Sequence, residues 1–211
     1  SRTPERAARE VLAAFLPRAF RRPVAPSEID EYLELFQTAF QQEESYDTAI
    51  EFTLIAALVS PKFLFLFEQP GGIDEPTLVS NYELASRLSY FLWSSMPDRE
   101  LMRLADQGKL HDEAVLEQQV KRMLRSDIDR KGRRRGAKVR GLATSFVEQW
   151  LGTRALGREF KPDASVARRY DSELEGGMKY EPIFFFEDLL ADNRSLLNLI
   201  DSDFTYVNRR L

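Results

Sequence analysis

The chain contains no cysteine. Within these residues that excludes disulfides, thiolate metal sites, a cysteine nucleophile and covalent haem attachment, and it leaves the compartment open. Histidine is almost as scarce. His111 is the only one, so a Ser-His-Asp triad has one available base and a multi-histidine metal centre has none. Standing just before Asp112, His111 is expected to face solvent beside a helix cap. No apolar run approaches the roughly 20 residues that a membrane-spanning helix requires; the densest, FLFLF at 63–67, is far shorter. There is no signal-peptide pattern, and the first residue is Ser1 rather than methionine, so the expectation is a processed piece of a longer protein. Excess charge is small as well. A formal net charge of −4 gives no global attraction to nucleic acid or to an anionic membrane.

What is present is ordinary globular material: 211 residues, 43% hydrophobic and 30% charged. Such a chain forms one large domain or two small ones and buries roughly 70% of its unfolded surface without staples. Helical signals dominate. Thr3 and Pro4 read as N-cap and first helical residue, followed by an apolar stripe at Val11, Leu12, Phe15 and Leu16, with Pro17 bending or ending the helix. Ile29, Leu33, Phe36 and Phe40 step by four, three and four residues along one face of a second helix. A third, YDTAIEFTLIAALVS, is apolar nearly all round in its second half and is expected to be buried, with Ser45 as a cap and Pro61 at its end.

The stretch SNYELASRLSYFLWSSMPDREL, residues 80–101, opens on a capping box, Ser80 with Glu83. Leu84, Leu88, Phe91 and Leu92 follow on one face, widened by Tyr90 and Trp93, and the helix is expected to be sandwiched between neighbours. Pro97 fits the first turn of the next helix, Asp98 and Glu100 suit its positive end, and Gly108 closes it. A helix after Asp112 runs through Val115, Val120 and Met123. SELEGGMKYEPIFFFEDLLADN predicts a helix interrupted near Gly176, Gly177 and Pro182, and DFTYVN a short strand or an extended tail. The fold class expected is mainly α, with little or no sheet, in two packed helical units: residues 1–70, a linker at 71–79, and residues 80–211.

Four strings, FLPRAFRRPVAPSEIDEYLELF, ALVSPKFLFLFE, YELASRLSYFLWSSMPDREL and NRSLLNLIDSDFTYVN, resemble two adjacent domain families of unknown function from planctomycetes and related bacteria. Those families occur in large, predicted secreted proteins that usually also carry a cytochrome-c-like domain. The first resembles roughly residues 7–68 and the second roughly 80–211. The resemblance implies a periplasmic or extracellular parent protein with haem c on another domain, other domains of the same polypeptide as partners, and a second domain cut short at its C-terminal end. The basic segment DRKGRRRGAKVR is longer and more positive than the family pattern, so no family role is carried onto it.

Candidate chemistry is sparse. The 80–101 motif is expected to be architectural, since a cap, a packed aromatic face and a Pro-started helix explain nearly every letter of it; the functional alternative sets Arg87, Trp93 and Asp98 around a pocket. Arg130, Lys131, Arg133, Arg134, Arg135, Lys138 and Arg140 form a basic run that is expected to be a solvated loop; the functional alternative is contact with a polyanion such as an anionic polysaccharide, or with an acidic partner. The run lacks the aromatics that stack bases, so nucleic acid is disfavoured. A carboxylate pair for glycoside hydrolysis would have to come from Glu148, Glu181, Glu187, Asp188, Asp201 and Asp203. Trp93 and Trp150 are expected in the core; exposed, either one suits a sugar ring or a protein partner. No metal and no cofactor are expected within these residues. The function expected is a helical scaffold or interaction module of a secreted, haem-associated protein. The alternatives are part of a polysaccharide-degrading or redox enzyme completed by other regions, and a polyanion-binding domain.

Overall fold

The computed structural model describes residues 3–43, 45–66, 68, 78–124, 127–128, 134–135, 137–163, 165 and 167–211. They are mainly helical, with one two-residue antiparallel pairing of Asp127–Ile128 with Arg134–Arg135 and with irregular backbone between Leu151 and Asp171 and after Leu199. Two compact units are present. One comprises Ser1–Arg87 with Met96–Asp112, the other Leu88–Ser95 with Glu113–Leu211. Residues 71–77 of the expected linker lie outside the described residues.

In the first unit, α1 (Pro4–Phe20), α2 (Pro26–Glu43) and α3 (Tyr46–Val59) enclose one core. The Thr3 hydroxyl accepts from the Arg6 N–H at 3.3 Å, and Pro4 holds the first turn, as the cap signature predicts. The buried stripe of α1 is Ala8, Leu12, Leu16, Ala19 and Phe20, whereas Val11 faces outward. Pro17 does not end this helix. It sits one turn from the C-terminus, where it forfeits a single backbone bond, and the buried Ala19 and Phe20 beyond it offset that loss. Arg21 closes α1 in the left-handed region, at φ 57°. Phe36 of α2 stacks on Phe40 with centroids 5.5 Å apart and meets Tyr46 edge-on at 5.5 Å.

The expectation that α3 is buried is only half met. Its inner stripe is small, Ala49, Thr53 and Ala57, all fully buried, and that lets the neighbouring helices approach closely. Its bulky residues face out: Phe52 is 53% exposed, Ile55 50% and Val59 63%. Pro61 starts α4 (Pro61–Leu64) rather than merely stopping α3.

The capping box forms as the sequence predicts. Glu83 accepts from the Ser80 N–H at 2.5 Å, and Ser80 accepts from the Glu83 N–H at 3.2 Å. Behind it, α5 (Asn81–Trp93) buries Ala85, Ser86, Ser89 and Leu92. Phe91, expected inside, is 67% exposed. Pro97 precedes the cap instead of opening the helix: Asp98 is the N-cap of α6 (Arg99–Asp106) and accepts from the Leu101 N–H at 3.0 Å. Polar bonds tie α6 and the turn after it to the start of α5. Tyr82 donates to Asp106 at 2.8 Å, and the Leu110 N–H donates to Asn81 at 2.8 Å.

In the second unit, the Trp93 indole N–H donates to the Met123 carbonyl of α7 (Glu113–Leu124) at 2.9 Å, with Arg122 lying 5.5 Å over the ring. The unit is built largely on α8 (Ala137–Trp150) and α9 (Ser172–Ala191), where Phe146 stacks on Phe186 at 5.0 Å. The expected interruption of α9 does not occur. Asp171 caps it, accepting from the Leu174 N–H at 2.8 Å, and the helix passes through Gly176, Gly177 and Pro182. The burial of Ile183, Phe186 and Leu189 outweighs the local preference of three poor helix formers. The C-terminal segment lies along α9 without strand pairing. Phe204 stacks on Phe185 at 4.9 Å, and Asn208 donates to the Glu173 carbonyl at 3.3 Å.

Candidate functional site

The first unit contains a cleft of about 550 Å³. It opens between the α1–α2 corner, the end of α4 and the first two turns of α5. Its floor is organised by a buried cation. Arg21, only 6% exposed, directs its guanidinium at the carbonyls of Ala19, Phe63 and Phe65, at 3.1, 3.0 and 3.0 Å. Phe63 and Phe65 stand at and just past the C-terminal end of α4, where backbone carbonyls run out of helical donors, so the arginine satisfies them and complements the negative end of that short helix.

On one rim, Glu28 accepts from both Arg22 Nη1 and Nη2 at 2.8 Å and from Lys62 at 2.9 Å. The Arg22 hydrogen bonds, with Lys62 beside them, hold the Glu28 carboxyl well below the usual carboxylate range. The same pairing raises Arg22 and Lys62. On the other rim, Arg87 Nε donates to Glu68 at 2.5 Å and a second guanidinium N–H completes the fork; this pair lowers the Glu68 carboxyl. Between the rims lie Phe20, Pro23, Phe65 and Leu66.

The second unit carries a groove of about 460 Å³ beside the glycine face of α9, lined by Tyr180, Phe184 and Tyr206 with Glu173 and Glu181. At Gly177 a Cβ would meet Asn208 Nδ2 at 2.8 Å and Leu211 at 2.9 Å, so any larger residue must push those side-chain ends aside.

The sequence-derived candidates scatter. Arg87 lines the cleft, while Asp98 is engaged as a helix cap. Trp93 is half-buried, with its N–H bonded to Met123, and Trp150 is 53% exposed, against the expectation of burial. His111 is exposed and its Nε2 pairs with the Val79 carbonyl at 2.9 Å. Of the basic run, Arg130, Lys131 and Arg133 lie outside the described residues; Arg134 and Arg135 form the second short strand, and Lys138 begins α8.

Four of the six candidate carboxylates each have a separate partner. Glu148 pairs with Arg154 at 3.3 Å, Glu187 with Arg140 at 3.4 Å, Asp188 with Arg194 at 3.4 Å, and Glu181 with the Thr205 hydroxyl. Asp201 and Asp203 are exposed on the C-terminal segment. Among the described residues no His, Cys, Asp and Glu cluster has metal-binding spacing.

Arg21, Glu28 and Lys62, the groups that build the cleft, carry no sequence signal beyond RRPVAPSE. The closing contact joins residues 34 positions apart.

A model of the family PSD5, described as a protein of unknown function (DUF1595), matches residues 7–68. A model of PSD4, described as a protein of unknown function (DUF1592), matches residues 79–211. No curated protein and no solved structure matches the chain. The second match spans more than half of the sequence and the first covers the three-helix core, and so the chain belongs to the PSD4 (DUF1592) family, preceded by a PSD5 (DUF1595) segment.

Proposed function

We propose that this chain is a non-catalytic helical interaction module, the scaffold on which another domain of a secreted, haem-associated bacterial polypeptide rests. The setting is taken from the resemblance of the quoted strings. The role rests on one observation: α3 turns its small residues inward and leaves Phe52, Ile55 and Val59, at steps of three and four, on the surface. Aligned aromatic and branched side chains of that size form a contiguous apolar stripe of the kind that marks a protein contact. The half-exposed Trp150 is a second partner contact of the same chemistry. The separate partners of Glu148, Glu181, Glu187 and Asp188 support the same reading, because a general acid and base must converge on one substrate.

The test is thiol footprinting. Val59→Cys, on the apolar stripe, and Thr38→Cys, exposed on α2, are labelled with a maleimide in this chain alone and in the complete gene product. Labelling at position 59 is expected to slow at least ten-fold in the complete protein while position 38 is unchanged. Equal rates at position 59 in both contexts refute the proposal.

A further inference from the structure

The cleft of the first unit has chemistry that a docking role for α3 leaves unused. Among the described residues, four cationic side chains border it, Arg21, Arg22, Lys62 and Arg87, against two carboxylates, Glu68 and Glu83. Three of these cations are committed: Arg21 to carbonyls on the floor, Arg22 and Lys62 to Glu28. Glu83 is committed to the Ser80 N–H.

The Arg87–Glu68 pair is different. Both partners are substantially exposed, 55% and 34% by side chain. An exposed ion pair is worth little because each partner is well solvated when they separate. The fork nevertheless specifies a shape, since a guanidinium offers two parallel N–H groups that match the two oxygens of a carboxylate. Glu68 thus stands where a carboxylate is recognised but only loosely held. Next to it the cleft is greasy. Phe65 and Leu66 are 60% and 50% exposed and face the same opening as Phe20 and Pro23. Covering such surface is favourable by roughly 25 cal/mol per Å², and the cleft volume is that of a small-molecule site.

We propose that this cleft binds an amphiphilic carboxylate of the medium-chain fatty-acid class. Its headgroup replaces Glu68 on the Arg87 fork and its acyl chain covers Pro23, Phe65 and Leu66. A phosphate dianion is a poorer match, because only one fork is exchangeable and Glu68 and Glu83 remain beside it to repel a second charge.

The experiment is isothermal titration of the whole chain with sodium decanoate below its micellar concentration, with 1-decanol and acetate as probes of tail and head alone. Decanoate is expected to bind at least ten-fold more tightly than either. Arg87→Ala is expected to weaken it about ten-fold, with Arg87→Lys recovering part of the loss because a point charge remains without the fork. Glu68→Gln removes the internal competitor and is expected to tighten binding about two- to five-fold. Phe52→Ser, on the α3 face, is expected to change nothing. Unfolding curves of the Arg87 and Glu68 variants that superimpose on the parent exclude misfolding as the cause. The proposal is overturned by absent heat, by decanol binding as well as decanoate, by indifference to Arg87→Ala, or by weaker binding in Glu68→Gln.

Discussion

Replacing Arg21 with alanine tests whether a buried guanidinium holds the end of α4 in place. The side chain is 6% exposed, and its bonds run to Ala19 within α1 and to Phe63 and Phe65 across the corner at 3.0 Å. Hydrogen bonds from a charged donor contribute about 1.5–3 kcal/mol each, and a carbonyl left dry without a partner costs about 1–3 kcal/mol. Water can reach the partly exposed Lys62–Phe65 edge once the side chain is gone, so the two cross-corner bonds do not count in full. A net loss of about 2–4 kcal/mol is expected for Arg21→Ala. Arg21→Gly loses the same bonds but relieves the left-handed backbone at φ 57°, which costs a residue with a Cβ about 1–2 kcal/mol. Glycine is therefore expected to be the milder substitution by about 1 kcal/mol, the reverse of the order inside a helix. Both tryptophans belong to the other unit, so indole fluorescence is the wrong probe here. Native-state hydrogen exchange at the Leu12, Leu16 and Ala57 amides reads the opening of this core directly. If Arg21→Ala leaves those amides within about 0.5 kcal/mol of the parent, the guanidinium is not a structural tie.

Other consequences are simpler to state. In α9, Gly176→Ala meets open space and is expected to stabilise by about 0.5–1 kcal/mol through helix propensity. Gly177→Ala is expected to gain less than Gly176→Ala, since Asn208 and Leu211 must move; urea midpoints followed by tryptophan fluorescence decide the order. The depressed Glu28 carboxyl gives stability that is fully present above its ordinary value of 4.5 and is lost as pH falls through the lower folded-state value. Between pH 4.5 and 2 the parent is therefore expected to lose stability that Glu28→Gln, already lacking the charge, does not, and parallel curves would contradict the pairing. Iodide is expected to quench Trp150 several-fold more effectively than Trp93, measured in Trp93→Phe and Trp150→Phe variants; equal quenching contradicts the placements. Ala57→Leu is expected to cost about 1–3 kcal/mol by overpacking the inner stripe of α3, whereas Phe52→Ser on its outer face is expected to cost less than about 0.5 kcal/mol. A comparable loss from both in hydrogen exchange at the Leu12 amide would show Phe52 to be core.

Local chemistry was the legible part of this chain. Thr3 with Pro4, Ser80 with Glu83 and the closure at Gly108, which takes φ 66°, are written in adjacent letters, and each forms as its letters predict. The α2 face was legible for the same reason, because Ile29, Leu33, Phe36 and Phe40 repeat within one helix and all reach the core. Helix breakers were misleading. Pro17, Gly176, Gly177 and Pro182 carry strong local preferences, but each lies in a helix whose flanking residues are buried, and tertiary burial decided the outcome. The cleft was illegible because Arg21 reaches Phe65, and Glu28 reaches Lys62, through contacts 44 and 34 residues apart. No periodicity encodes such pairings.

The errors in α3 and α5 share a cause. Reading a helix by its bulkiest residues places Phe52, Ile55 and Phe91 inside, whereas the buried stripes are Ala49, Thr53 and Ala57 in one helix and Ala85, Ser89 and Leu92 in the other. When a helix is apolar on several sides, hydrophobicity alone leaves its rotation undetermined, and the side that permits the closest approach of its neighbours gains the most dispersion contacts. Small residues then go inward and large ones are left outside. In a protein that worked alone, a surface Phe52 beside Ile55 and Val59 would be a liability that serine or glutamate removes at little cost to folding. Their exposure is the feature on which the proposed partner contact rests, and the rate of thiol labelling at position 59 is what decides it.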